Sequence, residues 1–531
     1  MILQRIFEIL PGSVSWLLIL GLFVVTLWQP VISSILVIVF MLGWVLRLFY
    51  YWIFLMLSYG RLTYEKKTDW VARVKGLDHF EEYWHEISQK KKTRGLAAKL
   101  SFWSLRRDLE KIKKNKIPLP ASCDIRHLVI IPVIKESQEV IRESLYALAG
   151  NSVFAKQIVV AIALEGRADP SIKEGIRSLA DDFKNDFMEF LVVEHPEGLP
   201  GEARVKGANT SYAAKTAAAF FDKKKIPYEN VIVSCFDADT VVGPEYFACL
   251  TYSFMVCPDR HRASFQPIPV YHNNIWEVPG FARVIETGSS FFQLVETTNP
   301  EKLVTFSSHS MSFRALVDVG YWPKDMISDD SGIFWKAYIH FDGHYQVVPM
   351  PVTLSMDVVD AGSWWKTVVS LYKQKRRWAW GVENFPLVMR GFLSNKKIPL
   401  YDKIRHAFKL FEGHITWAAL PFLLTFVGWL PALMAGQAFS RTVLYYNAGR
   451  VMDAVFSLSS LALLGTIILS VWLLPPSKKR YSMLWKIIHA LEWFLVPFIL
   501  VFLSALPALD AQTRVMLGKR MEFWVSEKRR L

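Results

Sequence analysis

The stretch Asn230-Val-Ile-Val-Ser-Cys-Phe-Asp237-Ala-Asp239-Thr-Val-Val-Gly243-Pro244-Glu-Tyr-Phe247 decides how the rest of the chain is read. Val231, Ile232 and Val233 form a short β-branched apolar run, the pattern of a strand buried in a mostly parallel sheet. Asp237 and Asp239 follow where that strand ends, with Ala238 between them, and Gly243-Pro244 breaks the chain before a helix. Ligands of open α/β sheets bind beyond the carboxyl ends of the strands. Two carboxylates at that point suit a hard divalent cation, Mg2+ or Mn2+, shared with a substrate diphosphate. A solvated turn is the plainer reading, and the neighbouring stretches decide between the two.

Working outward, residues 126–351 read as an α/β domain. Strands are predicted at 128–133, 158–163, 190–194, 231–234 and 263–266, with helices such as 139–149 and 208–221 between them. The first strand runs into Pro132 and then Glu136 before a helix, a way of building a nucleotide-facing loop. The second ends at Glu165, which either accepts a base N–H or caps the helix after Asp169-Pro170. After the third comes the Gly-rich cationic loop 201–209, whose Arg204 and Lys206 are placed to meet a diphosphate or solvent. Asp329 and Asp330 precede a further helical stretch. They serve as ordinary caps at its positive end, or as a base for an attacking hydroxyl. Gln374-Lys375-Arg376-Arg377-Trp378 then sets amide and guanidinium donors for a pyrophosphate beside an indole that can stack on a sugar.

The flanks have membrane texture. No charged residue occurs from 9 to 46, which is long enough for two spans, predicted at 13–28 and 31–52 and broken at Gln29-Pro30; a re-entrant pair is the alternative. The chain then turns basic, with a cluster from Lys90 to Lys116, which the positive-inside rule assigns to the cytoplasm. In 363–391, tryptophans alternate with Lys366, Lys373, Lys375, Arg376 and Arg377, as on a helix lying at the membrane–water interface or packed on the soluble domain. Apolar runs return at 413–434, 454–474 and 491–509. Two plus three full spans would place the basic tail outside, so either one run is re-entrant or one makes two short passes, for five or six crossings. Pro497 and Pro507 make 491–509 the candidate for the re-entrant reading.

Composition agrees. The 531 residues are 52% apolar with 20 Trp, and the net charge of +14 is concentrated beside the apolar runs. Nucleic acid as a partner is excluded, because that needs a basic face on a soluble domain. Four cysteines without a Cys-x-x-Cys pair speak for reduced thiols. A transporter or scaffold would place ionisable residues inside the spans and would not gather carboxylates at strand ends.

In this order, Glu165, Asp237-Ala-Asp239, Ser328-Asp329-Asp330 and Gln374-x-x-Arg377-Trp378 resemble the pattern of membrane-integrated inverting glycosyltransferases of family 2, the group of cellulose, chitin and hyaluronan synthases. Phe523-Trp524-Val525-Ser526-Glu527-Lys528 is similar to the gating loop of cellulose synthases. Two segments depart from the pattern: Ile134-Lys135 stands where Tyr-Asn is usual, and Glu165-Gly166-Arg167 replaces the uracil-contacting Asp-Asp-Gly-Ser.

The resemblance implies a GT-A-like α/β domain with a mostly parallel Rossmann-like sheet, inserted between transmembrane helices of a multi-pass plasma (inner) membrane protein with its catalytic domain in the cytoplasm. Its divisions are a transmembrane hairpin (1–60), a basic connector (61–125), the glycosyltransferase domain (126–360), interfacial helices (361–405), a transmembrane bundle (406–510) and a cytosolic tail (511–531). It also implies a nucleotide-diphosphate sugar as donor, UDP- before GDP-linked, and a polysaccharide or lipid acceptor. In the roles it implies, Asp330 is the base with Asp329 in reserve, and Asp237 and Asp239 hold Mg2+ or Mn2+. Pro132, Glu136, Glu165, Lys206 and Asp237 bind the donor, Gln374, Arg377 and Trp378 bind diphosphate and acceptor, and Phe523, Val525, Ser526 and Lys528 form the gate.

Overall fold

Val231–Cys235 is strand β4 in a computed structural model of the chain, which describes all residues except 1, 91–93, 427–429, 431–440, 477–482, 522–523 and 525–531. The other strands are β1 (Arg126–Val133), β2 (Ile158–Glu165), β3 (Glu189–His195), β5 (Val241–Val242), β6 (Ala263–Val270), β7 (Ser310–Ser312) and β8 (Gln346–Ser355). They form one sheet in the order β3-β2-β1-β4-β7-β6-β8-β5. The half β3-β2-β1-β4 is parallel throughout, with His127 opposite Ile158 and Arg126 opposite Val231. β7 runs antiparallel between β4 and β6, β6 is parallel to β8, and β5 is antiparallel to β8.

Apolar residues line both faces of the parallel half because each face carries its own core. Along β1, Leu128 and Ile130 join one cluster, and Val129, Ile131 and Val133 join the other, as the two-residue period of a strand requires. The helix Lys206–Lys224 lies on the first face. Its Ala213, Ala214, Ala217 and Ala218 are small enough to bring its backbone close to the sheet. Since β1, β2 and β4 are parallel, Val133, Glu165 and Cys235 end on one edge. β7 runs the other way, so the loop before it arrives at that same edge.

Among the described residues, four helices are long and apolar enough to cross a membrane: Ile2–Trp28, Pro30–Glu65, Tyr445–Leu473 and Ile487–Met516. The break at Gln29-Pro30 stands where expected, with Pro30 at the start of the second helix. The first helix begins at Ile2, not near 13, and its 27 residues need no re-entrant turn. Pro497 and Pro507 do not reverse the last run. A π-helical segment, Ile499–Ala505, lies between them, and the helix continues to Met516. The predicted span 413–434 falls partly outside the described residues.

The terminal helices pack together. Ser15 Oγ donates to Gln512 Oε1 at 2.7 Å, and Trp16 Nε1 to Thr513 Oγ1 at 2.9 Å. Arg47 is ion-paired with Glu412. The α/β domain is fastened to this bundle by Arg283 Nη1–Glu492 Oε1 at 2.7 Å and Arg376 Nη1–Asp510 Oδ2 at 2.9 Å.

The connector helix Leu96–Asn115 lies along the end of Pro30–Glu65, where Ser101 Oγ donates to the buried Glu65. On this helix burial pushes the Asp108 carboxyl up to about 6, against the pull of the nearby cations Lys111 and Arg61. A carboxyl raised in the folded state holds its proton there after the unfolded chain has lost it. Its contribution is therefore present below about pH 4 and lost as pH rises through 6. Asp108→Asn is expected to remove up to about 3 kcal/mol of that pH dependence. The check is the difference in thermal midpoint between wild type and variant, followed from pH 4 to pH 7 in detergent.

Candidate active site

Lys206, the first residue of its helix, stands between two carboxylates. Its Nζ donates to Asp237 Oδ1 at 2.9 Å and to Asp330 Oδ1 and Oδ2 at 3.1 and 3.2 Å. Burial opposes its charge, yet Asp237 and Asp330 outweigh that penalty and hold the ammonium's pKa well above the ordinary lysine value. The helix start can sit this deep because the next residue is glycine. A Cβ at Gly207 would lie 2.1 Å from the Pro323 carbonyl oxygen and 3.1 Å from Asp329 Cβ.

Asp329 and Asp330 open the helix Asp329–His340 but differ in setting. Asp330 keeps 22% of its side-chain surface and faces Lys206. Asp329 is buried, and its Oδ2 has no hydrogen-bond partner among the described residues. Burial first, and the adjacent Asp330 carboxylate second, push its carboxyl well above the usual range. Asp330 is thus the open carboxylate of the pair.

The loop entering β7 lines the same edge, and nothing in the sequence singled it out. Ser307 Oγ donates to Asp237 Oδ2, and Ser308 Oγ accepts from the Asp237 N–H at 3.3 Å. Thr305 Oγ1 donates to the Asp330 carbonyl at 2.7 Å. Ser308 is left-handed at φ +60°, which is costly for a residue other than glycine. His309 is fully buried, with Nδ1 at 3.2 Å from the Phe306 carbonyl and 4.0 Å from Asp330 Oδ1; burial lowers the ring's pKa.

Asp239 is buried, and its Oδ2 accepts the Asp357 N–H at 2.7 Å. Asn273 Nδ2 braces the same corner, donating to the Asp239 carbonyl at 2.9 Å and to Asp357 Oδ1 at 2.8 Å. Among the described residues no group of three or more His, Cys, Asp or Glu side chains is arranged to hold a metal alone.

Gln374, Arg377 and Trp378 lie on the helix Trp364–Ala379. Gln374 is buried, the Arg377 guanidinium lies within electrostatic reach of Asp329, and the Trp378 ring is 6.1 Å from that of Tyr271. Lys375, counted above among the interfacial cations, instead points inward, because Glu286 on a neighbouring helix takes it. Arg204 takes the solvated alternative: it donates to Glu197 at 2.7 Å, both exposed, so Lys206 alone of that loop reaches the carboxylates.

At the other strand ends, Pro132 pairs with Ala163 across β1 and β2. Glu136 Oε2 accepts the N–H groups of Ile134 and Lys135 at 2.7 and 3.0 Å, so it caps its own loop. Glu165 takes Arg167 Nε rather than capping the helix that follows. Gly166 is required there, because a Cβ would lie 2.8 Å from the His195 carbonyl oxygen. Phe523, Val525, Ser526 and Lys528 lie outside the described residues. Trp524 is described, with Lys373 Nζ 5.4 Å from its ring centre.

Sequence reasoning also missed Glu383. Its Oε1 accepts from the Ile327 and Ser328 N–H groups and the Ser328 hydroxyl at 2.9, 2.8 and 2.7 Å, and its Oε2 accepts from Trp380 Nε1 at 3.1 Å. It thereby clamps the turn that presents Asp330. Glu383→Ala strands two partly buried N–H groups and is expected to cost roughly 1 kcal/mol, read as a drop in thermal midpoint.

Residues 232–506 match the family model described as glycosyl transferase family group 2, which spans more than half of the chain. The chain belongs to this family. The matched region of the glycosyltransferase holds Asp237, Asp239, Asp329, Asp330, Gln374, Arg377 and Trp378, whereas Glu165 and Lys206 precede it. The chain is similar to the poly-β-1,6-N-acetyl-D-glucosamine synthases of Staphylococcus aureus (strain COL) and Staphylococcus epidermidis. Each is 29% identical over 184 residues, 34% of this chain and 41% of theirs. The chain thus spans about two fifths of the length of these curated relatives. Among solved structures, the mannosyltransferase PcManGT from Pyrobaculum calidifontis, in complex with GDP-Man and Mn2+, is 14% identical at a TM-score of 0.41. The alignment covers 76% of this chain and 98% of that one. TarS 1–349 of S. aureus with UDP is 12% identical at 0.35, covering 63% and 90%.

Proposed function

We propose that this glycosyltransferase moves a sugar, with inversion, from a UDP-linked donor to a growing polysaccharide beside the membrane, with its α/β domain in the cytoplasm. The observation that carries the reading is the Lys206 ammonium bound to Asp237 and Asp330 at once, which brings β4 and the Asp329–His340 helix to one point. A polysaccharide acceptor is supported by what the staphylococcal relatives are named for making. Cytoplasmic placement is supported by the basic connector.

In this mechanism Lys206 and Arg377 bind the donor diphosphate, and Asp330 takes the proton of an acceptor hydroxyl. That hydroxyl attacks the anomeric carbon from the face opposite the leaving diphosphate. Trp378 stacks under the acceptor sugar. Asp237 and Asp239 are the residues that would hold Mg2+ or Mn2+. A two-carboxylate oxygen set suits an ion that completes its shell with phosphate and water. Such an ion supplies charge to the departing diphosphate.

The test is turnover by the full-length protein in detergent with Mn2+, across UDP-N-acetylglucosamine, UDP-glucose and GDP-mannose, with the product sized. Release of UDP and a polymeric product are expected. A single-sugar glycolipid would shift the reading to a lipid acceptor, and no turnover of any donor would overturn it.

A further inference from the structure

Lys375 and Glu286 form an ion pair inside the protein, 2% and 1% exposed. Lys375 Nζ lies 2.9 and 3.0 Å from Glu286 Oε1 and Oε2 and donates to Ser289 Oγ at 3.0 Å. Glu286 and Ser289 belong to the helix Gly280–Glu296, which lies against the helix of Lys375. Withdrawing two charges from water is costly, and an apolar pair of similar size is often as stable or more so. Stability alone therefore accounts poorly for this pair.

A second contact accounts for it better. Lys375 Nζ also lies 3.7 Å from the centre of the Trp378 ring, one helical turn away on the same face. The ammonium has no freedom to move, because Glu286 and Ser289 fix it from the neighbouring helix. An indole attracted to a fixed cation keeps one face covered and its plane set, which leaves the opposite face to stack on a ligand. The adjacent residues are tied elsewhere, Arg376 to Asp510 and Gln374 to the interior.

We propose that Lys375, held by Glu286, is a positioning residue that fixes the plane of Trp378 for the acceptor sugar. This rests on the reading of Trp378 as the acceptor's stacking surface. Neither Lys375 nor Glu286 touches substrate. Their effect falls on the affinity for the acceptor and leaves donor chemistry alone.

The experiment uses the full-length protein in detergent, with UDP-N-acetylglucosamine as donor and a β-1,6-linked N-acetylglucosamine tetramer as acceptor. Acceptor-free UDP release and acceptor-dependent transfer are measured separately. In the apolar double variant Glu286→Leu/Lys375→Met, acceptor KM is expected to rise about tenfold while acceptor-free UDP release stays at the wild-type rate. The swapped pair Glu286→Lys/Lys375→Glu keeps the ion pair but moves the cation off the indole. It is expected to show the same KM rise, and it serves if the apolar variant does not fold. Placed on Trp378→Ala, either pair change should raise KM no further than Trp378→Ala alone, a non-additivity that a purely structural role would not produce. Unchanged acceptor KM in both backgrounds, or losses that add to that of Trp378→Ala, would overturn the positioning role alone. Wild-type acceptor KM in Trp378→Ala itself would overturn the stacking reading and the positioning role with it.

Discussion

Asp330→Asn is expected to cut sugar transfer by about two to four orders of magnitude while donor binding survives. The amide keeps the volume of the carboxylate, and its oxygen can still accept from Lys206, so the link at 3.1 Å has a surviving partner. What it loses is the ability to take a proton. Asp329 cannot easily stand in, since it is buried beside Gly207 with its carboxyl pushed toward the neutral form. Asp329→Asn should accordingly leave turnover within about an order of magnitude of wild type. The measurement is kcat for transfer alongside UDP affinity by titration. Wild-type turnover in Asp330→Asn would remove it from the chemistry. A parallel loss of UDP affinity would reassign it to holding Lys206 in place.

The parallel half of the sheet was legible because burial on both faces leaves near-continuous apolar runs such as Leu128–Ile131, and because parallel strands gather their carboxyl ends at one edge. Asp237 falls there by its spacing from the strand, whereas Asp330 and Lys206 were assigned to the site through the family resemblance. β7 left no such trace. It is three residues long, and two of them are buried serines: Ser310 pairs with the Ser234 hydroxyl at 2.7 Å, and the Ser312 hydroxyl accepts from the Ala315 N–H at 3.4 Å. No hydropathy pattern marks a strand whose polar groups are satisfied across the sheet, so the Thr305–His309 loop that it delivers to the site went unseen. Lys375 and Glu383 were hidden for a related reason. A charged side chain reads as solvated until its buried partner is known, and Glu286, Ile327 and Ser328 are all distant in sequence from the residues they hold. The reach of the terminal helices was underestimated where contacts such as Arg5 to the Val515 carbonyl, 3.0 Å, extend a helix past its apolar stretch.

Asp239→Asn is expected to abolish metal-dependent turnover while the fold persists, and the geometry explains why asparagine is the informative choice. Asp239 Oδ2 accepts the Asp357 N–H at 2.7 Å in a corner that Asn273 also braces, so alanine would strand a buried donor and confuse folding with function. An asparagine oxygen can take over that hydrogen bond but carries no charge to hold a divalent ion. Removing an ion that neutralises a leaving diphosphate forfeits about 4 kcal/mol of transition-state stabilisation, roughly a thousandfold in rate. The wild type should therefore lose turnover in EDTA and regain it with Mn2+, and Asp239→Asn should stay slow at any Mn2+ concentration with its thermal midpoint little changed. If the wild type turned over equally fast in EDTA, the metal assignment would fall. Lys206, already set between Asp237 and Asp330 at 2.9 and 3.1 Å, would then be the cation left to meet the diphosphate.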